Sequence, residues 1–470
     1  MKKVLCTIAL MLLVAGSAYA QVTFSLTGDY WAEGKYWFNY NAGPDQKANY
    51  TDTSFGFYEQ DINLYPKITV GNTSLNLALA ITDVTWGDGG KPALSEPAEA
   101  DDNILIERAF ITHKFNDMFT LDVGLMDGTQ WGTTFADEKQ GRWRVKLTAR
   151  TPVGVVGGLF EKVADIGYET GDAAGENRDT DHYGLFAITK VGDVFVKPLF
   201  FYVDQRASNK SLAEGTTLLN ANLPGRFNND DFAVLGSVLA TGDRSLLAGL
   251  SNAGSALLFA NDTTMLNLVL AFDGDLGPVS FESEFNYKKY DSEIYNPLLI
   301  GALGDDEFDW SVWGVYLNFW KELDAMTPGF LFAYGSWDDK GGVGETGYGF
   351  CYEDDFDATL ILDDEYAWGN TSGGDGMVGM TTLKLYVNDI KTGIDPLTLS
   401  GYAAYVISNQ EDNAYEDATA WEVALGAAYK ITDNLTYSVY GAYADIDYDV
   451  TGIDDPDSVY LIANAIEFRF

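Results

Sequence analysis

Period-two alternation of apolar and polar side chains recurs along almost the whole chain, and it constrains the fold more than any other feature. In SLNLALAIT, Leu75, Leu77, Leu79 and Ile81 share one face, with Asn76, Ala78, Ala80 and Thr82 on the other. In PVSFESEFNYKKY, Val279, Phe281, Phe285 and Tyr287 lie opposite Ser280, Glu282, Glu284, Asn286 and Lys288. TAWEVALGAAYK and LTYSVYGAY repeat the pattern. Each segment is about nine to thirteen residues, the length a tilted strand needs to cross the apolar core of a bilayer. The spacing predicts eighteen strands, at 22–40, 55–70, 74–86, 104–115, 119–126, 142–150, 153–162, 182–191, 194–204, 264–272, 278–290, 309–320, 328–337, 377–387, 397–408, 419–430, 435–447 and 458–470. Sixteen strands is the alternative count.

The joining segments alternate between short and long. Gly71-Asn72-Thr73, Asn116-Asp117, Thr151-Pro152 and Gly192-Asp193 are short; 41–54, 87–103, 127–141, 163–181, 205–263, 291–308, 338–376, 409–418 and 448–457 are long. Short turns on one side and long loops on the other mark a transmembrane barrel of the outer-membrane type, with short periplasmic turns and long extracellular loops. An even strand number puts both chain ends on the short-turn side. Acid collects in the long set: 338–376 holds eleven Asp and Glu against one Lys. Within 205–263, FAVLGSVLA (232–240) has strand character, but one more strand would break the alternation of loop lengths. SLLAGLSNAGSALLFA (245–260) reads as a short helix with Asp243 as its N-cap, so the whole stretch is taken as one outer loop.

Strands cross lipid only when every backbone N–H and C=O is paired, which requires closure. The expected fold is therefore all-β, a single closed antiparallel barrel spanning 21–470, with no linker dividing it. Residues 1–20, MKKVLCTIALMLLVAGSAYA, read as a secretory signal: two lysines, a short apolar run, and a small-residue site ending at Ala20. Cys6 leaves with that segment, and Cys351 then has no internal partner. A formal charge of −41, 14 % aromatic residues and 49 glycines suit exposed strands joined by acidic loops. That charge excludes a nucleic-acid partner, because phosphate would be repelled. Tyr36, Trp37, Trp86, Trp310 and Trp337 fall near strand ends, where aromatic rings suit the lipid headgroup level.

One stretch stands out in so acidic a chain. In RWRVKLTAR, Arg142, Arg144, Lys146 and Arg150 occupy even positions, and Trp143, Val145, Leu147 and Ala149 odd ones. A lipid-facing cation near the bilayer midplane costs roughly 2–4 kcal/mol, so four on one strand would cost on the order of 10 kcal/mol. The apolar set must face lipid and the cations must line water. Arg108 and Lys114 are candidates for the same lining. The preceding loop, DGTQWGTTFADEKQG, carries Asp127, Asp137 and Glu138 as a complement. The alternative is that the cations neutralise nearby acids such as Asp122.

The last segment, SVYLIANAIEFRF, alternates up to Phe470 and resembles the C-terminal signature of Gram-negative outer-membrane proteins. With the leader, the strand number and the loop pattern, the chain resembles the Gram-negative porins over nearly its full length. That resemblance implies a loop after the fifth strand folded into the barrel, its acids facing basic wall residues. It implies passive diffusion of small hydrophilic solutes and ions through a water-filled pore, and a homotrimer in the cell outer membrane beside lipid and lipopolysaccharide. Two rival readings stand: a substrate-selective anion channel using the basic ladder as its track, and a non-conducting surface adhesin or structural barrel. The sign of ion selectivity is left open.

Other signals point elsewhere only weakly. GVGETG (342–347) fits a dinucleotide pattern without the βαβ context it requires. The run from Asp445 spaces acids like a calcium loop, but has Val450 where glycine is needed and Pro456 where Glu is expected. His113 and His182 are far apart and lack cysteine or HExxH company, so no cofactor, metal or enzyme activity is expected. CYEDDFDATLILDDEY (351–366) either folds inward as a second gate or forms a hairpin at the rim.

Overall fold

The computed structural model describes residues 22–40, 54–86, 104–128, 130–136, 140–165, 179–206, 261–294, 307–338, 347–353, 355–370, 376–449 and 455–470. The leader at 1–20, the loop core at 207–260 with its expected helix, Asp137, Glu138 and most of GVGETG lie outside the described residues.

Eighteen strands form one closed antiparallel sheet. They are β1 (Val22–Phe38), β2 (Phe55–Val70), β3 (Thr73–Thr85), β4 (Leu105–Lys114), β5 (Phe119–Gly128), β6 (Gln140–Thr151), β7 (Gly154–Asp165), β8 (Asp179–Val191), β9 (Val194–Gln205), β10 (Asn261–Leu276), β11 (Val279–Ile294), β12 (Glu307–Trp320), β13 (Thr327–Gly335), β14 (Met380–Lys391), β15 (Leu397–Ser408), β16 (Thr419–Thr432), β17 (Leu435–Asp447) and β18 (Val459–Arg469). Each predicted segment has become one of these strands. Neighbours in sequence pair in sequence order, and β1 closes on β18 from Asp29 opposite Arg469 to Phe38 opposite Tyr460. Gly28 and Phe470 complete the seam with two backbone bonds of 2.9 and 3.0 Å. No backbone edge is left open to lipid, which is the condition for a spanning sheet. The tight hairpins β2–β3 and β8–β9 turn at Gly71 and Gly192, whose φ values of 58° and 64° favour glycine.

The two faces separate by residue parity. On β16, Trp421, Val423 and Leu425 point outward, Leu425 with 76 % of its surface exposed, while Ala420, Glu422 and Ala424 are buried inside. Outward apolar residues recur around the wall, including Trp143, Leu185, Leu385 and Ile462. Leu425 lies mid-strand, so Leu425→Arg is expected to cost about 2–4 kcal/mol of folding free energy in bilayers, read from a urea titration in lipid vesicles. An unchanged midpoint would mean that this face does not meet lipid.

The core of the protein lies inside the barrel and to one side. Segment 347–370, between β13 and β14, folds inward and packs Phe350, Tyr352, Phe356, Ile361, Leu362 and Trp368 against the inner face of the wall. Of the two outcomes open for 351–366, the chain takes the inward one. Room for it comes from small inner residues: Ala333 on β13, Ala420 and Ala424 on β16, Ala442 and Ala444 on β17, and Ala463 on β18. This packing corrects the placement of two aromatic residues. Trp37 is 1 % exposed, on the inner face with Glu33 and Lys35, and packs edge-on against Tyr40 and Tyr366. Trp310 stacks on Tyr290 at 4.9 Å, and both rings pack against the inner core. Tyr36 and Trp86 remain exposed. Strand parity outweighs closeness to a strand end, because a ring can reach the headgroup layer only from the outer face.

Candidate solute pathway

The basic ladder lies on β6, with Trp143, Val145 and Leu147 exposed on the outer face and Arg142, Arg144 and Lys146 inside. Its cations do not stand alone. Arg144 donates from Nε to Glu161 Oε1 on β7 at 2.6 Å, and Glu161 Oε2 meets His182 Nδ1 on β8 at 3.0 Å. Lys146 pairs with Asp122 on β5 at 3.3 Å, and Asp122 also accepts from the Thr112 hydroxyl at 2.6 Å. Arg108 pairs with Asp127 at 2.6 Å, so this carboxylate at the end of β5 serves β4 rather than the ladder. Arg142 Nε is buried without a hydrogen-bond partner. Arg150 is exposed at the short-turn end, where its backbone N–H donates to Met118 O at 2.8 Å.

The loop after β5 crosses the interior. Trp131 Nε1 donates to Lys197 O on β9 at 3.0 Å, and Thr133 donates from both N and Oγ1 to Glu284 Oε2 on β11 at 2.9 Å. Those anchors lie several strands around the wall from the loop's own ends on β5 and β6. Gly132, at φ 88°, is required there: a Cβ would come within 2.6 Å of both Ala271 Cβ and Glu284 Oε2. Beyond it Phe135 is fully buried among Tyr316, Phe350, Tyr352 and Phe356, at ring distances of 5.1 to 5.6 Å within that group. Gln130 donates to Asp355 at 2.8 Å. The two inward loops therefore pack on each other as well as on the wall.

The second loop is held at three points. Glu422 on β16 accepts from the backbone N–H groups of Leu360, Ile361 and Leu362 at 2.9 to 3.1 Å, at the start of a short π-helical segment, Leu360–Glu365. Tyr402 on β15 donates its hydroxyl proton to Glu422 and accepts from Leu360 N at 2.8 Å. Lys35 on β1 reaches Glu365 at 2.6 Å and Glu59 at 3.0 Å. Lys288 on β11 holds Glu353 at 2.8 Å. Within the loop, Asp363 accepts from Ala358 N at 2.8 Å and Met377 N at 3.2 Å. Burial nevertheless pushes its carboxyl up to about 8, and burial with the neighbouring Asp357 charge pushes Asp364 up to about 7.

No family model and no curated protein matches the chain. Among solved structures, the outer membrane protein OpdK of Pseudomonas aeruginosa is similar, with a TM-score of 0.50 at 9 % identity, over 95 % of this chain and 98 % of that one. The fold is that of an outer-membrane porin barrel. OccAB3 of Acinetobacter baumannii, at TM-score 0.49 and 11 % identity, covers 95 % of this chain and 99 % of that one. OccK11 (OpdR) of Pseudomonas aeruginosa, at 0.48 and 11 %, covers 95 % and 96 %. At such identities the likeness concerns the fold alone.

Sequence reasoning did not single out the residues that anchor the barrel's inward loops. Glu284, Glu422 and Lys35 are ordinary inner positions of alternating strands. One signal was available. On β16 to β18 the inner positions Ala420, Ala424, Ala442, Ala444 and Ala463 are small and apolar, whereas a water-lined wall would be polar there. Two apolar faces on consecutive strands call for something packed inside.

Proposed function

We propose that the chain is an outer-membrane porin giving passive diffusion of small hydrophilic solutes and ions through a water-filled pore. The single observation that carries this reading is the inner face of β4 to β10. Arg108, Asp122, Arg144, Lys146, Glu161, Lys197 and Asp273 line it in cross-strand pairs behind an apolar outer wall. Arg144 and Glu161 are shielded as a pair, while Arg108, Lys146, Lys197 and Asp273 keep part of their surface exposed on the inner face, which suits a wall that meets water. The reading makes Arg108, Arg142, Arg144, Lys146 and Arg150 pore-lining, with Asp137 and Glu138 as the acidic complement on the inward loop and Asp127, at the end of β5, lining the pore as the partner of Arg108. Charges of both signs across a narrow throat orient dipolar solutes and disfavour apolar ones. No chemical step is involved. The acidic outer loops would meet lipopolysaccharide through bridging divalent cations, and the porin resemblance supports a homotrimer.

Single-channel recording in planar bilayers tests the reading. Stepwise conductance is expected from the wild type. Replacing Arg142, Arg144, Lys146 and Arg150 together by Gln is expected to move the reversal potential toward cations. An unmoved reversal potential would remove the ladder from the mechanism, and a silent bilayer would favour the adhesin or structural barrel.

A further inference from the structure

The inner cations and carboxylates do not balance, and the imbalance has a location. Among the described residues, Lys35 faces Glu33, Glu59 and Glu365 at 3.5, 3.0 and 2.6 Å. Arg108, Arg144, Lys146, Lys197 and Lys288 each hold a carboxylate of their own. To a passing ion a closed pair is a dipole whose field falls off within a few ångströms, whereas a lone charge acts over about a Debye length, roughly 10 Å. Arg144 and Lys146 are therefore electrostatically quiet, whereas Arg142 and Arg150 have no carboxylate within ion-pair distance among the described residues.

Glu282 on β11 is different. Its carboxylate accepts from the Tyr316 hydroxyl and from Asn318 Nδ2 at 3.2 Å, and the Asn318 amide is oriented by the Tyr386 hydroxyl, which donates to Asn318 Oδ1 at 2.8 Å. These donors are neutral, and no Lys, Arg or His among the described residues lies within ion-pair distance of it. Gly329 leaves space for this arrangement, since a Cβ there would come within 2.1 Å of the Tyr386 ring. Glu282 lines a cavity of about 620 Å³ at the short-turn end of β11 to β14, with Asn318, Trp320 and Tyr386. Glu322 and Asp389 also line it, against one cation, Lys391.

We propose that the pore selects cations, with Arg144 and Lys146 of the basic ladder neutralised in place and Glu282 as the residue that sets the preference. The inference rests on the porin reading and gives it a substrate class: small cations and cationic solutes, drawn to a fixed carboxylate beside aromatic rings. It runs against the anion-channel reading, which needs the ladder's charges to be free.

The test is the reversal potential of the full-length protein in a KCl gradient. The wild type is expected to favour potassium several-fold over chloride. Glu282→Gln is expected to bring the ratio close to one, and Glu282→Asp, which keeps the charge, to retain the preference. Asp122→Asn with Asp127→Asn frees Lys146 and Arg108 and is expected to raise chloride permeability. A wild-type reversal potential of the chloride sign, or Glu282→Gln with an unchanged ratio, overturns the proposal while leaving the porin reading intact. Absence of any current defeats that reading itself.

Discussion

Glu422→Ala is expected to release the segment 347–370 from the wall and to raise single-channel conductance. Glu422 is 0 % exposed and is the common acceptor for three successive backbone N–H groups, those of Leu360, Ile361 and Leu362. Its removal leaves the Ile361 and Leu362 donors without an acceptor, while Leu360 N keeps the Tyr402 hydroxyl. Each unsatisfied buried donor costs about 1–3 kcal/mol, so the seated loop should lose roughly 2–6 kcal/mol. The barrel should persist, because its ladder closes without the loop. Glu422→Gln keeps one acceptor oxygen and should fall between wild type and alanine. Limited proteolysis gives an independent readout, with cleavage near 360–365 in the alanine variant and protection in the wild type. Unchanged conductance together with unchanged protection would mean that the carboxylate does not hold the loop.

The same loop should loosen as pH rises. The Asp363 carboxyl, pushed up to about 8 by burial, is raised above its ordinary value of 3.8. A raised folded-state value means that the seated loop favours the protonated form. That contribution is complete below about pH 4 and is lost as pH rises through about 8. Asp364, raised to about 7 by burial and by the charges of Asp357 and Glu365, acts in the same direction, with Lys35 opposing it. The linked change for Asp363 alone is on the order of 5 kcal/mol across that range. Mean conductance at pH 9 should therefore exceed that at pH 5, and Asp363→Asn, which carries no charge at either pH, should flatten the dependence. A conductance that falls as pH rises, or an asparagine variant with the wild-type profile, would contradict this account.

How far the sequence could be read follows from the range of the interactions concerned. Strand positions depend on local alternation, so the segment RWRVKLTAR could be placed on β6 and its faces assigned from parity alone. Parity also turns Trp37 inward, on the face of Glu33 and Lys35, against the outward place that its nearness to a strand end suggests. The inward loops are another matter. Thr133 is 151 residues from Glu284, and Leu360 is 62 from Glu422. Nothing near either partner in the chain marks the other.

The amino-acid sequence by itself determined a closed wall of eighteen strands with apolar residues outside and charged residues inside. A two-residue period and the need to pair every backbone group in lipid leave little else for such a chain to form. Only the tertiary structure decided that part of the interior is a packed core, that Arg144 and Lys146 of the ladder are matched by carboxylates on neighbouring strands, and that Glu282 has neutral partners. Those outcomes depend on which side chains meet across the wall, where pairing of neighbouring strands brings them together, and across the lumen, where the inward loops do.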